Sequence, residues 1–161
     1  MFIRVDGSAL TPPAAGDCVD VEGTVEEFQG RTQLTDATFS PRSNCGTFPV
    51  PLEIPSVSAG FSDIATDQDP VAAGNQPGTK AEIFESVLVR LTTVRVTDVY
   101  SASRFGVAQQ ASPDGPSLIV QGIYHSQSTA VDQNYAAIIG ILSDANGEYR
   151  LLPRSAADFF Q

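Results

Sequence analysis

The sequence predicts an all-β protein, and three observations carry that expectation. Apolar residues alternate with a period of two in several segments, helical periodicity is almost absent, and 13 Gly and 11 Pro are spread along the chain as turn formers. A chain of 161 residues can bury a sizeable core and fits one domain or two small ones.

The strands follow in order. Val19, Val21, Gly23 and Val25 alternate with Asp20, Glu22, Thr24 and Glu26, the pattern of a half-buried strand. Val87, Val89 and Leu91 alternate with Leu88, Arg90 and Thr92 until the parity slips at Thr92-Thr93 and resumes as Val94 and Val96. Such a slip predicts a β-bulge, which bends a strand and lets its sheet curl. Ile138 to Leu142 is a short apolar run suited to a strand covered on both faces. Asp144-Ala145-Asn146-Gly147 then reads as a hairpin turn. Strands are expected near 86–99, 105–110, 118–122, 135–143 and 148–153. A bulged first strand, five strands in all and a closing hairpin describe an OB-like β-barrel over residues ~84–154.

An internal repeat extends this plan. A shift of 117 residues lays Val21-Glu22-Gly23-Thr24-Val25 over Ile138-Ile139-Gly140-Ile141-Leu142 and continues to Gly30 over Gly147 and Leu34 over Leu151. With a one-residue gap, Phe2-Ile3 falls over Leu118-Ile119. The N-terminal part is therefore expected to form a partial second OB-like sheet, holding the last three strands of the barrel and lacking its first two. The organisation reads as residues 1–55 for the partial copy, 56–82 for a linker, and 83–161 for the complete barrel with a helical turn after Ser155. Residues 62–80 read as an exposed loop. The proline-punctuated segment Phe48 to Pro55 is confined to an edge strand or a polyproline-like crossing. Either it folds back along the open edge of the partial copy or that copy packs into the complete one, both within one compact monomer; strand donation from a second chain is the remaining resolution.

Charge excludes some partners. Nineteen Asp and Glu face nine Lys and Arg, giving a net charge of −10, which opposes duplex DNA and anionic membranes. Lys80 is the single lysine. No stretch has the roughly 20 apolar residues of a membrane span. The first residues run straight into the strand-like Phe2-Ile3-Arg4-Val5, as in a mature secreted chain. Cys18 and Cys45 allow one disulfide. Two buried free thiols are the competing reading, disfavoured because Cys45 stands in the polar stretch Ser43-Asn44-Cys45-Gly46.

The wording of the chain also resembles a known region. Gly16-Asp17-Cys18-Val19-Asp20-Val21-Glu22-Gly23-Thr24-Val25-Glu26-Glu27-Phe28, followed by Thr32-Gln33-Leu34, resembles the OB-fold region that precedes the catalytic domain of bacterial extracellular endonucleases, a region also found in surface proteins and lipoproteins. Phe84 to Leu91 and Tyr149 to Arg154 are similar to its later blocks, with Ser86 where the family usually has Gly. The resemblance implies a non-catalytic accessory region of a secreted or cell-surface bacterial protein. It carries over no catalytic residue, metal or cofactor.

Candidate sites are few. The barrel face flanked by the first and last hairpins would offer Tyr100, Arg104, Phe105, Tyr149 and Arg150, where aromatics stack on bases or sugars and Arg meets phosphate. Phe105 and Tyr149 read equally as core. Asp63, Asp67 and Asp69 form a weak Ca²⁺ candidate without the glycine and glutamate of an EF-hand loop. His125, the single histidine, reads as a loop residue; Ser126, Ser128 and Asp132 lie nearby without a nucleophile motif. The expected function is a structural or interaction module serving a protein partner or a neighbouring domain. The alternative is a single-stranded nucleic-acid-binding accessory domain of a secreted nuclease, a glycan being a further ligand that the same face would suit.

Overall fold

The computed structural model describes residues 2–3, 11–14, 16–28, 31–47, 49–54, 59–66, 81–144 and 147–161. The chain divides after Val50 into two compact units.

The first unit is a three-stranded sheet of β1 (Phe2–Ile3), β2 (Val19–Phe28) and β3 (Arg31–Pro41), ordered β1-β3-β2. β2 and β3 form an antiparallel hairpin, and β1 joins β3 in parallel. The hairpin register slips between Glu22 and Thr24, where β3 carries one extra residue. Asp36 has a φ of 52° there, a left-handed conformation in which Asp is among the better tolerated residues. A disulfide joins Cys18, just before β2, to Cys45, just beyond β3.

The second unit opens with β4 (Leu52–Ile54) and α1 (Ala59–Thr66), followed by β5 (Leu88–Ser101), β6 (Arg104–Gln109), β7 (Leu118–Gln121), β8 (Asn134–Asp144), β9 (Tyr149–Leu152) and β10 (Phe159–Phe160). β5 pairs with β6, β6 with β7, β7 with β9, β9 with β8, and β8 again with β5. That circuit closes a five-stranded barrel, with the parallel β7–β9 pair as its one same-direction join. The order is that of an OB-like barrel, as the strand pattern predicted. Val89, Leu91, Val94, Val96, Phe105, Tyr135, Ile138, Leu142, Tyr149 and Leu151 fill it. Each such burial is worth about 1.5–3 kcal/mol.

β5 shows how the sheet bends. Its buried residues switch from odd (Val89, Leu91) to even (Val94, Val96) across Thr93, whose φ is 56°. The β5–β8 register runs unbroken through this point, from Thr92↔Ala137 to Val94↔Tyr135. The face change is therefore carried by a left-handed residue. The register shifts lie further on, between Val96 and Asp98 and between Val99 and Ser101, against β6. Gly106 faces the first of them, where a Cβ would stand 3.0 Å from the Thr97 hydroxyl.

The repeat is present in the ladders themselves. Thr24↔Thr35, Val25↔Leu34 and Glu27↔Thr32 map by the 117-residue shift onto Ile141↔Leu152, Leu142↔Leu151 and Asp144↔Tyr149. Phe2↔Gln33 and Ile3↔Leu34 map likewise onto Ile119↔Arg150 and Val120↔Leu151. Phe2-Ile3 thus lies over Ile119-Val120 with no gap, which corrects the expected match to Leu118-Ile119. Beyond the glycines the copies part. β3 runs on to Pro41, placing Phe39 opposite Val21, whereas the barrel chain detours through a 3-10 turn (Ala156–Asp158) before Phe159 comes opposite Ile138.

Two further expectations are overturned. Leu52–Ile54 pairs in parallel with Val89–Leu91 at the edge of the barrel sheet, and does not fold along β2. Ile54 is buried in the barrel's apolar cluster, which draws the segment there. Within the stretch expected to be a linker, residues 59–66 form a helix, while residues 67–80 of the expected exposed loop lie outside the described residues. Phe61, Ile64 and Ala65, at the i, i+3, i+4 spacing of one helical face, join the same cluster.

Candidate ligand face of the barrel

Two hairpins and one strand end build the face. The β5–β6 turn contributes Tyr100 and Arg104, the β8–β9 turn contributes Glu148 and Arg150, and β7 ends in Gln121. The β8–β9 turn is tied by the Gly147 N–H, which donates to the Asp144 carboxylate at 2.9 Å, and Gly147 has a φ of 81°. Asn146 lies outside the described residues. The shift between Val99 and Ser101 leaves Tyr100 out of the ladder, and its ring is exposed. Bulges commonly re-aim a side chain in this way.

Glu148 organises the charges. Nη2 of Arg104 donates to both of its carboxylate oxygens, at 3.0 and 3.1 Å. Nε of Arg150 donates to the same carboxylate, and Nη1 of Arg150 donates to the Gln121 side-chain oxygen at 2.7 Å. The Arg104 guanidinium also lies 5.5 Å from the Tyr100 ring centroid, within cation–π range. Two cations thus share one anion, and a single positive charge remains on a patch of a strongly acidic chain.

Of the residues proposed for this face, Tyr100, Arg104 and Arg150 come together. Phe105 and Tyr149 do not: they are buried at 1% and 0% exposure and form part of the barrel core. The reason is alternation, since each is the inward neighbour of an outward arginine. Glu148 and Gln121 were not anticipated. A charge beside a turn glycine gave no periodic signal, and Gln121 acts through a parallel pairing invisible in local sequence.

Elsewhere, His125 sits in the loop between β7 and β8, its ring 6.1 Å from that of Phe159. Asp132 pairs with Arg95 at 2.6 Å, so this carboxylate is committed away from any histidine. Asp63 lies on α1 and not on a cation-binding loop, while Asp67 and Asp69 lie outside the described residues. Among the described residues no group of three or more His, Cys, Asp or Glu is placed to hold a metal, and no helix is long and apolar enough to cross a membrane. In the first unit, a cleft of about 450 Å³ lies beside the disulfide, bordered by Thr11, Pro13, Val19 and Phe39. Comparison with family models and with curated proteins returns no match for this chain.

Proposed function

We propose that the chain is a non-catalytic, extracytoplasmic interaction module, docking a protein partner or a neighbouring domain through the N-terminal sheet. The observation that carries this reading is the incomplete copy. β2 and β3 repeat the register of β8 and β9, yet the strand that covers the far edge of β8 has no counterpart on β2 among the described residues. An uncovered edge with matched ladder geometry is a template for another strand. The Cys18–Cys45 disulfide supports an oxidising compartment.

The test is a photo-crosslinking amino acid at exposed Val25 of the full chain in its native host, with mass spectrometry of the adduct and thiol labelling of the two cysteines. One defined adduct on oxidised protein is expected. Reduced cysteines in a cytosolic, adduct-free protein overturn the proposal.

A second reading has one observation in its favour. Nε of Arg104 is buried without a hydrogen-bond partner among the described residues, beside the exposed Tyr100 ring. A single-stranded nucleic acid or glycan could use both, in keeping with the resemblance to a nuclease accessory region. Neutralisation by Glu148 weighs against it. Titration of a fluorescent oligothymidylate at increasing salt decides: affinity tighter than about 1 µM that falls with salt supports it, and its absence removes it.

A further inference from the structure

The barrel also records which strand the first unit lacks. β8 carries β9 on one edge and β5 on the other, with Val89↔Gly140, Arg90↔Ile139, Leu91↔Ile138 and Arg95↔Asn134 in register. Moved back by 117 residues, those β8 positions are Gly23, Glu22, Val21 and Asp17. A β5-like strand on β2 would therefore set one arginine against Glu22, and a second would fall against Asp17, two residues before β2 begins.

Backbone direction agrees. In the barrel the Leu142 N–H donates to the Val87 carbonyl, and the Ser86 N–H donates to the Leu142 carbonyl, so Leu142 faces β5. Its counterpart is Val25. On the other edge, the Cys18 carbonyl accepts the Arg42 N–H, so even-numbered residues of β2 face β3. Val19, Val21, Gly23 and Val25 accordingly aim their amides and carbonyls away from β3. Residues 22–28 are exposed.

The side chains then select the occupant. Asp20, Glu22 and Glu26 share one face of β2 by alternation, and Asp20 is paired with Arg42 at 3.3 Å. In the barrel, the corresponding positions are Ala137, Ile139 and Ser143. The change from uncharged to acidic residues makes the edge repel a second copy, whose own β2 would bring carboxylates against carboxylates.

We infer that the outer edge of β2, from Val19 to Val25, binds an extended segment of a partner protein by antiparallel strand addition, and that this segment carries Arg or Lys opposite the acidic row. The inference rests on the interaction-module reading and adds to it the site, the register and the charge of the partner.

A synthetic fluorescent peptide of residues 87–97, which carries Arg90 and Arg95 and no acid, is the probe. With the full oxidised chain it is expected to bind saturably, and to protect the amides of Val19, Val21, Gly23 and Val25 from hydrogen exchange. A peptide with both arginines replaced by Glu should bind about tenfold more weakly, the size expected of two cross-strand charge pairs. Val25→Pro removes an outward N–H at a position where an edge strand tolerates proline, and should weaken binding about fivefold or more. Glu22→Lys should weaken the native peptide and restore binding of an Arg90→Glu peptide, a readout that misfolding cannot produce. No binding, equal binding of both peptides, protection confined to the barrel strands, or a dimer of the free chain in light scattering each overturns the inference. A defined adduct formed in the native host from a crosslinker at exposed Thr38 of β3, with none from Val25, would overturn this site and leave the interaction-module reading intact.

Discussion

Gly140 lies against Leu152 across the β8–β9 hairpin so closely that a Cβ on the glycine would stand 2.9 Å from the leucine carbonyl oxygen. Gly23 stands in the same relation to Thr35, again at 2.9 Å, with each partner displaced by 117 residues. Two hairpins thus share a side-chain-free contact that neither could keep with alanine. Gly140→Ala should cost about 3 kcal/mol, because buried backbone at Leu152 must shift, and Gly23→Ala about 1 kcal/mol on the more exposed sheet. Urea unfolding followed by circular dichroism measures both.

Removing the disulfide should loosen the first unit. Its loop spans 27 residues, and chain entropy alone sets its contribution at about 3.5 kcal/mol. In the paired Cys18→Ser, Cys45→Ser variant, the β2 and β3 amides should exchange faster by a matching factor. Unchanged protection would mean that the sheet is held by other contacts.

Much of this architecture was legible in the chain. The five barrel strands were visible as short apolar segments set off by turn residues, with β5 alternating on either side of its parity slip. The repeat was visible because Gly23 and Gly140 sit at the same place between apolar residues, Val21 and Val25 in one copy and Ile138 and Leu142 in the other. What escaped had weaker or longer-range causes. The helix holding Phe61, Ile64 and Ala65 is eight residues long, too short for periodicity to stand out. The shifts near Thr97 and Tyr100 fall where successive residues are half-exposed or exposed, so parity carried no information. The partnership of Leu52–Ile54 with β5, and of Glu148 with two arginines, depends on tertiary placement that no local pattern encodes.

Thr93 offers a gain of stability. A β-branched residue at a φ of 56° is strained, and this one is exposed. Thr93→Gly should raise stability by about 1 kcal/mol, read as a higher melting temperature. A lower one would show that the threonine side chain makes a compensating contact.

The C-terminal detour should confer a pH dependence. Burial pushes the Asp158 carboxyl up, but the Arg154 guanidinium and the N–H groups of Arg154 and Ser155 outweigh it and hold the group below its ordinary value. The folded state therefore favours the ionised form. That stabilisation is complete above the unfolded value near pH 4 and is lost as pH falls through the folded one. Asp158→Asn should cost about 2 kcal/mol near neutrality, and the difference from wild type should vanish in acid. A gap that persists at low pH would assign the effect to packing.

Duplex DNA should not bind near physiological salt, since nine cations face nineteen anions and Arg104 and Arg150 share Glu148. Electrophoretic mobility shift with a random duplex measures this. A shift at submicromolar protein would reveal a basic surface that the net charge conceals.

The parallel join between β7 and β9 has a mechanical meaning. The barrel is closed there through Ile119↔Arg150 and Val120↔Leu151 alone, while β5 and β8 are laced together from Leu88 to Arg95. Under tension the wall should part first along this short join, with the Arg150–Gln121 side-chain bond as its rivet. Loaded across this join, the barrel would then yield by unzipping one seam while the longer ladders stayed shut.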